Sequence, residues 1–292
     1  LSNEGFMTSI MNQNIFFWDD SANTFTEYTK ELNKYDNNTQ SITFNSGDRL
    51  YIASVLPFNN RYFKIGIPNT NASANLIIEY YSGAGWKNPS RVLDYTKSIQ
   101  TFDQSGQIVF VPDDKNTISQ QSDTDTIQDD NFKNYAPRVY NMFWQGIGFD
   151  ADVTVGFNFI GHLYSTSDSE IYAQYPMLDQ ARYLTQWNGD KVDWEAQRIM
   201  STNVIIKELE KRSIIMSPDQ VLDTARLNEA CIHHTAMTIF SGLGVDRFEK
   251  EIERAGKRYN DAMYMDKYSV DLNADALLSQ SERRVSIAMR SR

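Results

Sequence analysis

The hydrophobic period of this chain changes once, and that change limits what it can fold into. From residue 41 to about 165, apolar side chains come in short runs rich in Ile, Val, Tyr and Phe, bounded by Gly, Asn and Pro. The runs are SITF, RLYIASVLPF, RYFKIGIPNT, NLIIEYY, GQIVFV, PRVYNMFWQGIGF and ADVTVGFNFIGHLYS. Such runs read as strands. In the last of them Val153, Val155, Phe157 and Phe159 alternate with polar or small residues. Beyond residue 176 the spacing is helical: Leu227, Ala230, Cys231, His234 and Met237 fall on one helix face, widened by Ile232, Ala236, Ile239 and Phe240. Strands gathered before helices predict two domains, β then α. The boundary is expected around residues 166–176. The fold class expected is α+β: a β-sandwich-like domain over 41–170, a C-terminal α-helical bundle over 171–268, and an extended C-terminal tail over 269–292. Residues 1–40 are expected to form an arm packed on a later surface, because Phe16, Phe17 and Trp18 must be buried somewhere.

Local signals place the helix ends. Ser217 with Gln220 three residues on has the form of a capping box, and Pro218 suits a first helical position. A long helix is therefore expected to start there and to end at Gly242 and Gly244. A following helix opens at Asp246, with Phe248, Ile252, Ala255, Tyr259 and Ala262 as its buried stripe. Before the central helix, Trp194, Ile199, Val204, Ile205 and Leu209 mark another, preceded by a short helix in PMLDQARYLTQWN. Connections this short predict antiparallel packing.

Composition excludes several classes. At 292 residues the chain can bury two cores, and 13% aromatic with 41% hydrophobic residues argues for folding rather than disorder. A net charge of −10 argues against general nucleic-acid affinity. The single cysteine cannot form an internal disulfide. No apolar run reaches the length of a membrane span, and LSNEGFMTSIMNQN does not read as a signal peptide. The sequence opens on Leu1, so either its start is processed or it is a piece of a longer chain. Residues 113–132, rich in Asp, Ser, Thr and Gln, read as a solvated loop.

Chemistry-bearing residues are few. His233 and His234 are adjacent on a helix and point apart, so they cannot share a metal as an i, i+4 pair does. His162 stands alone on a strand, and Cys231 lies among apolar positions with no activating base nearby in sequence. The glycine turns SGAG and SGLG lack the Lys-Ser/Thr of a phosphate loop. Asp271, Asn273, Asp275 and Glu282 hold positions 1, 3, 5 and 12 of a calcium loop, but position 6 is Ala276 where that loop needs Gly. A polar segment making protein contacts is the plainer reading. Trp86, Tyr80 and Tyr81 have the composition of a sugar-stacking platform, although sheet core is the commoner use of such residues. No catalytic pair can be named, and no cofactor or metal is expected.

The order of elements over the last third of the chain is a helix ending in KELEKRSII, a capped Ala-rich helix, a short Gly turn and a charged helix, then an acidic, Asn-containing tail with a basic end. This pattern resembles the head-to-tail connector (adaptor) proteins of tailed bacteriophages. The stretch from IIEYYSGAGW to QIVFVP is similar to the β-sandwich modules of phage head, neck and tail proteins. The resemblance implies a structural subunit of the phage neck, not an enzyme, forming an oligomeric, dodecameric ring that binds the portal protein and joins capsid to tail. Its partners would be the portal, neighbouring copies, and a tail or second neck-ring protein. Double-stranded DNA would pass through without specific binding, no membrane would be involved, and the protein would reside in the virion after assembly in host cytoplasm. It also implies a C-terminal portal-binding segment, here Arg283, Arg284, Val285, Ile287, Met289, Arg290 and Arg292. The charged faces of the last helix, Glu249, Lys250, Glu253, Arg254, Lys257 and Arg258, would supply the ring interface. Two other classes remain open: a carbohydrate- or receptor-binding tail or baseplate protein, and a polysaccharide hydrolase.

Overall fold

The computed structural model describes residues 13–35, 38–82, 85–112, 142–165, 167–187, 191–265, 267–268, 270–271 and 285–286. The chain is mixed α and β and divides into two compact units. One holds residues 1–161 with 271–277, the other 162–270 with 278–292.

The first unit contains β1 (Gln13–Asp19), β2 (Thr24–Glu27), the short helix α1 (Thr29–Leu32), β3 (Gln40–Phe44), β4 (Arg49–Ser54), β5 (Asn60–Ile67), β6 (Leu76–Tyr81), β7 (Trp86–Lys87), β8 (Arg91–Asp94), β9 (Gly106–Val111), β10 (Phe143–Phe149) and β11 (Val153–Gly161). They form two antiparallel sheets, ordered β2-β1-β4-β10-β6-β7 and β3-β11-β5-β9-β8. One apolar core takes side chains from both: Ile15, Phe17, Ile52 and Ile147 from the first, Phe44, Phe63, Val155 and Phe157 from the second.

Residues 13–27, read from sequence as part of an arm, are strands, and β1 lies inside its sheet between β2 and β4. The sequence hid this because β1 is apolar on both faces. Ile15 and Phe17 enter the shared core, whereas Phe16 joins Phe25, Tyr81 and Trp144 in a second cluster, with Trp18 packed against it. A strand buried on both sides shows no alternation. The alternation in β11 also breaks. A bulge shifts the register between Phe157 and Phe159, so Ile160 faces the core and Phe159 packs edge-on against Tyr35. Asn158 in the bulge accepts a hydrogen bond from Thr39 Oγ1 at 2.7 Å.

The connection from β8 to β9 inserts Phe102, fully buried, with φ +61°. A left-handed backbone costs a bulky residue about 1–2 kcal/mol. Burying a phenylalanine returns about 1.5–3 kcal/mol, and Phe102 meets Phe63, Phe149 and Phe157 at ring distances of 5.1–6.0 Å. Burial outweighs strain.

The second unit contains α2 (Asp168–Gln174), α3 (Ala181–Trp187), α4 (Glu195–Lys211), α5 (Ala225–Met265) and the two-residue strands β12 (Lys267–Tyr268) and β13 (Val285–Ser286), which pair with each other. The Ser217–Gln220 capping box forms, with Ser217 N–H donating to Gln220 Oε1 at 3.3 Å. It caps only a single 3-10 turn, Pro218–Gln220. The long helix begins later, at Ala225, because Val221 leaves the turn extended and bridges to Val270.

Candidate interaction surface of the helical unit

A polar network inside the second unit holds its helices in register. Arg198 of α4 pairs with Asp168 of α2 at 3.0 Å and donates to the Ser165 carbonyl at 2.9 Å. Asn228 of α5 donates to the Tyr164 carbonyl at 3.1 Å and to Glu170 at 3.0 Å. Thr202 Oγ1 accepts from Tyr164 N–H at 3.2 Å. These bonds fasten Tyr164, Ser165, Asp168 and Glu170 to the two long helices. An apolar cluster of Ile171, Tyr175, Trp194, Ile239, Phe240 and Phe248 fills the remaining space.

The three histidines and Cys231 all lie inside this unit. His162 Nε2 meets Asp219 Oδ1 at 3.2 Å. His233 Nδ1 pairs with the Tyr175 hydroxyl and His234 Nδ1 with Ser201 Oγ, both at 2.9 Å. Burial lowers the pKa of each of the last two; for His233 the neighbouring Arg258 and Arg254 add to this, and Glu229 opposes it. Burial pushes the Cys231 thiol up to about 11, which makes it a poor nucleophile at neutral pH. Among the described residues no group of three or more His, Cys, Asp or Glu side chains lies close enough to hold a metal ion. Of the calcium-loop positions only Asp271 is described, and it is buried; Asn273, Asp275 and Glu282 lie outside the described residues.

The exposed surface of this unit is built by α5, which is bent. Gly244, at φ 134° and ψ 112°, and Phe248, at φ −120° and ψ 24°, leave helical geometry. Nothing would meet a Cβ at Gly244, so the backbone conformation rather than space calls for glycine there. Gly242, expected as part of a terminus, lies within the helix, where a Cβ would strike the Trp187 ring. The two glycines therefore bend one long helix instead of separating two.

After the bend, Phe248, Ala255 and Met263 are buried, and Asp246, Arg247, Glu249, Lys250, Glu253, Arg254 and Lys257 are exposed. Arg258 is half-buried, and its charge lowers the pKa of the Tyr175 hydroxyl, which burial raises by more. The residues expected at a ring interface thus share the outer side of one element, with Arg258 turned partly inward. Arg182 and Arg247 were not singled out from sequence. Their guanidinium carbons sit 4.8 Å and 5.9 Å from the centre of the buried Tyr183 ring. Arg247 follows the spacing of Lys250 and Arg254 and was legible; Arg182 comes from α3, and no linear signal links it to α5.

Arg283, Arg284, Ile287, Met289, Arg290 and Arg292 lie outside the described residues, and of Val285 only its backbone pairing with Tyr268 is described. The aromatic trio of the first unit does not form a platform. Tyr80 enters the core, and Tyr81, on the opposite face, is buried against Trp86 at 5.8 Å. Consecutive strand residues point to opposite faces, so the pair could not have shared one. No helix among the described residues is long and apolar enough to cross a membrane. No protein-family model matches the chain, and a search of the curated proteins finds no match.

Proposed function

We propose that this chain is a structural subunit of a bacteriophage neck. In this reading the helical unit forms a ring on the portal and joins capsid to tail. The two sheets face each other as a β-sandwich that meets the capsid vertex or the surroundings of the neck. The observation that carries the reading is the bent α5. Its second half exposes side chains of both charges, and among the described residues none of Asp246, Arg247, Glu249, Lys250, Glu253, Arg254 or Lys257 forms an ion pair within 4.0 Å. Surfaces of this kind give register and partner choice more than affinity. The order of helices resembles that of connector proteins, and the buried histidines and Cys231 leave the unit's polar chemistry occupied in packing.

The test is co-elution of the purified full chain with its portal protein on size exclusion. A stable co-eluting complex is expected. Removing residues 283–292 should abolish it while the circular dichroism spectrum stays that of a folded chain; a truncated chain that co-elutes at full stoichiometry rules out the C-terminal segment as anchor. Filter binding at physiological salt should detect no affinity for duplex DNA, because a net charge of −10 opposes it. Tight, salt-sensitive binding would count against a passive conduit.

A further inference from the structure

The sheet that holds β1 and β4 carries aromatic side chains on the face turned away from the shared core. Residues paired across an antiparallel ladder share a face. The register sets Trp18 beside Arg49, and Tyr51 in line with Gly146 and Glu79. Trp86 stands opposite Tyr81. Three of the chain's five tryptophans, Trp18, Trp86 and Trp144, lie on this face. Trp144 is buried, whereas Trp18, Tyr51 and Trp86 are half-buried. These three run diagonally across β1, β4 and β7, four strand spacings or roughly 19 Å between the end backbones. Their rings make a continuous track: Trp18 meets Phe25 at 4.7 Å, Phe25 meets Tyr51 at 6.1 Å, and Tyr51 meets Trp86 at 5.1 Å.

Two glycines let large side chains lie flat here. Glycine inside a strand weakens it and marks places of close approach. On β10, a Cβ at Gly146 would come 3.0 Å from the Tyr51 ring, and one at Gly148 would come 2.7 Å from the Arg49 guanidinium. With no Cβ in the way, Arg49 crosses β10, and its Nε donates to Glu79 Oε2 on β6 at 3.0 Å. Arg49 Nη1 donates to the Asp48 carbonyl at 2.8 Å. Both side chains of the pair stay partly exposed, and Arg49 Nη2 and Glu79 Oε1 have no partner among the described residues. A donor and an acceptor thus stand side by side along the aromatic track.

We propose that this face binds an uncharged oligosaccharide of flat, β-linked pyranose rings of the glucose or N-acetylglucosamine type. Such rings present C–H groups on their faces, which pack on aromatic side chains, and neighbouring hydroxyls at their edges, each both donor and acceptor. The track supplies the first contact and the Arg49–Glu79 pair the second. The span suits several sugar rings rather than one. Arg49 and Glu79 balance each other in charge, and Asp20, bonded to Trp18, with Glu27, paired to Phe16, disfavours an anionic polymer. An apolar protein surface laid here would bury Arg49 Nη2 and Glu79 Oε1 without partners, at a cost. The site concerns the sheet unit alone and does not rest on the neck reading.

The experiment is calorimetric titration of the full chain with cellohexaose, chitohexaose, glucose, polygalacturonate and a proline-rich peptide. At least one hexaose should bind saturably, and glucose at least about tenfold more weakly, since it covers only part of the track. Trp18→Ala and Trp86→Ala should each weaken hexaose binding at least about tenfold, as loss of an aromatic anchor does. Circular dichroism checks that each variant is folded. Should a tryptophan variant unfold, Glu79→Gln carries the test, since it keeps the shape of the side chain and should weaken binding several-fold. Absence of saturable binding by both hexaoses at millimolar concentration overturns the proposal. So does glucose binding as tightly as a hexaose, or full affinity in the folded variants. Preference for polygalacturonate would contradict the charge argument. Binding of the proline-rich peptide in place of the sugars would assign the aromatic track to a protein partner and overturn the proposal as well.

Discussion

The two units of this chain solve the problem of a unique core in opposite ways. The sheet unit relies on apolar shape: its shared core is dominated by Phe, Ile and Val, with rings meeting edge-on, as between Phe17 and Phe44 at 5.4 Å or Phe102 and Phe157 at 5.2 Å. The helical unit keeps an apolar cluster but threads an ion pair, two hydrogen-bonded histidines and an asparagine between its helices. Strand pairing already fixes the register of a sheet through its backbone ladder, so its core side chains chiefly fill space, and buried polar bonds such as Arg61 to Gln13 at 2.9 Å stand beside that core. Helices have no such ladder between them and can slide, so directional side-chain bonds are the means of fixing their register. Removing one partner of such a bond is costly even where replacing both is not.

The largest expected effect lies in the sheet unit. Phe157→Ala leaves a cavity among Phe63, Phe102 and Val155, and should cost about 4 kcal/mol, read as a lower denaturant midpoint in a tryptophan fluorescence titration. Next comes Arg198→Ala, which takes the cation from Asp168 and the donor from the Ser165 carbonyl and should cost about 3 kcal/mol. The double change Arg198→Met with Asp168→Asn keeps an acceptor for the Trp194 N–H and should recover part of that loss if the pair serves register rather than net stability. A double variant as unstable as the single one would show that the ion pair itself stabilises the unit. No comparable rescue is expected for Phe157, since nothing polar is left behind.

This contrast also separates what the sequence discloses from what it conceals. Strands β3, β5, β6, β9 and β11 were legible because one face or one run of each is marked by turn residues. Strand β1 was not, because its IFFW run is buried on both faces, and burial erases the period on which the reading depends. The helix faces were legible from Leu227 to Phe240, all buried or half-buried as their spacing requires. The start at Ala225 was not, because Ser217 and Gln220 make a true capping box for a turn too short to leave a periodic signature. The charged side chains of α5 were visible as residues but not as a surface. Arg182 joins them only through the Tyr183 ring, and Arg258 is turned partly inward. Contacts across helices carry no sequence spacing.

A smaller effect comes with pH. The chain's three histidines, His162, His233 and His234, all fall in the helical unit. Burial holds His233 and His234 below their usual pKa, so the folded state resists protonation. A lowered histidine pKa contributes stability that is complete above the unfolded value near 6.5 and is lost as pH falls through the folded pKa. The helical unit should therefore weaken as pH drops below about 6.5, while the sheet unit, with no histidine among residues 1–161, holds. Far-ultraviolet circular dichroism tracks the helices and peptide-resolved hydrogen exchange the sheets, since Trp187 and Trp194 of the helical unit would enter any tryptophan signal. Parallel loss of both signals from pH 7 to about 5 would erase the distinction, and a His234→Gln variant should flatten the helical profile.

The smallest effect sharpens the comparison from the other side, because in the sheet unit carboxylates, Asp103 most of all, take the place of the histidines as groups whose folded pKa is lowered. Asp103 sits in the turn between β8 and β9. Burial works to raise its pKa, but the backbone N–H groups of Ser98, Ile99 and Gln100, with the Ser98 hydroxyl, outweigh it and hold the carboxyl at about 2. The folded pKa is depressed, so the contribution is present above the unfolded value of 3.8 and is lost as pH falls toward about 2. The carboxylate is mostly exposed, and solvent screens it. Its role is to order a turn that carries the strained Phe102 into the core, where Thr96 Oγ1 takes the Phe102 N–H at 3.0 Å. Asp103→Asn keeps one acceptor and should cost under about 1 kcal/mol, and Asp103→Ala about 1 kcal/mol. Both losses should appear in the hydrogen exchange of sheet-unit peptides and not in the helical signal. As pH falls below the folded value of about 2, the wild type and Asp103→Asn should converge, since both then present a neutral side chain. If they stay apart there, the turn is held by something other than the carboxylate's charge.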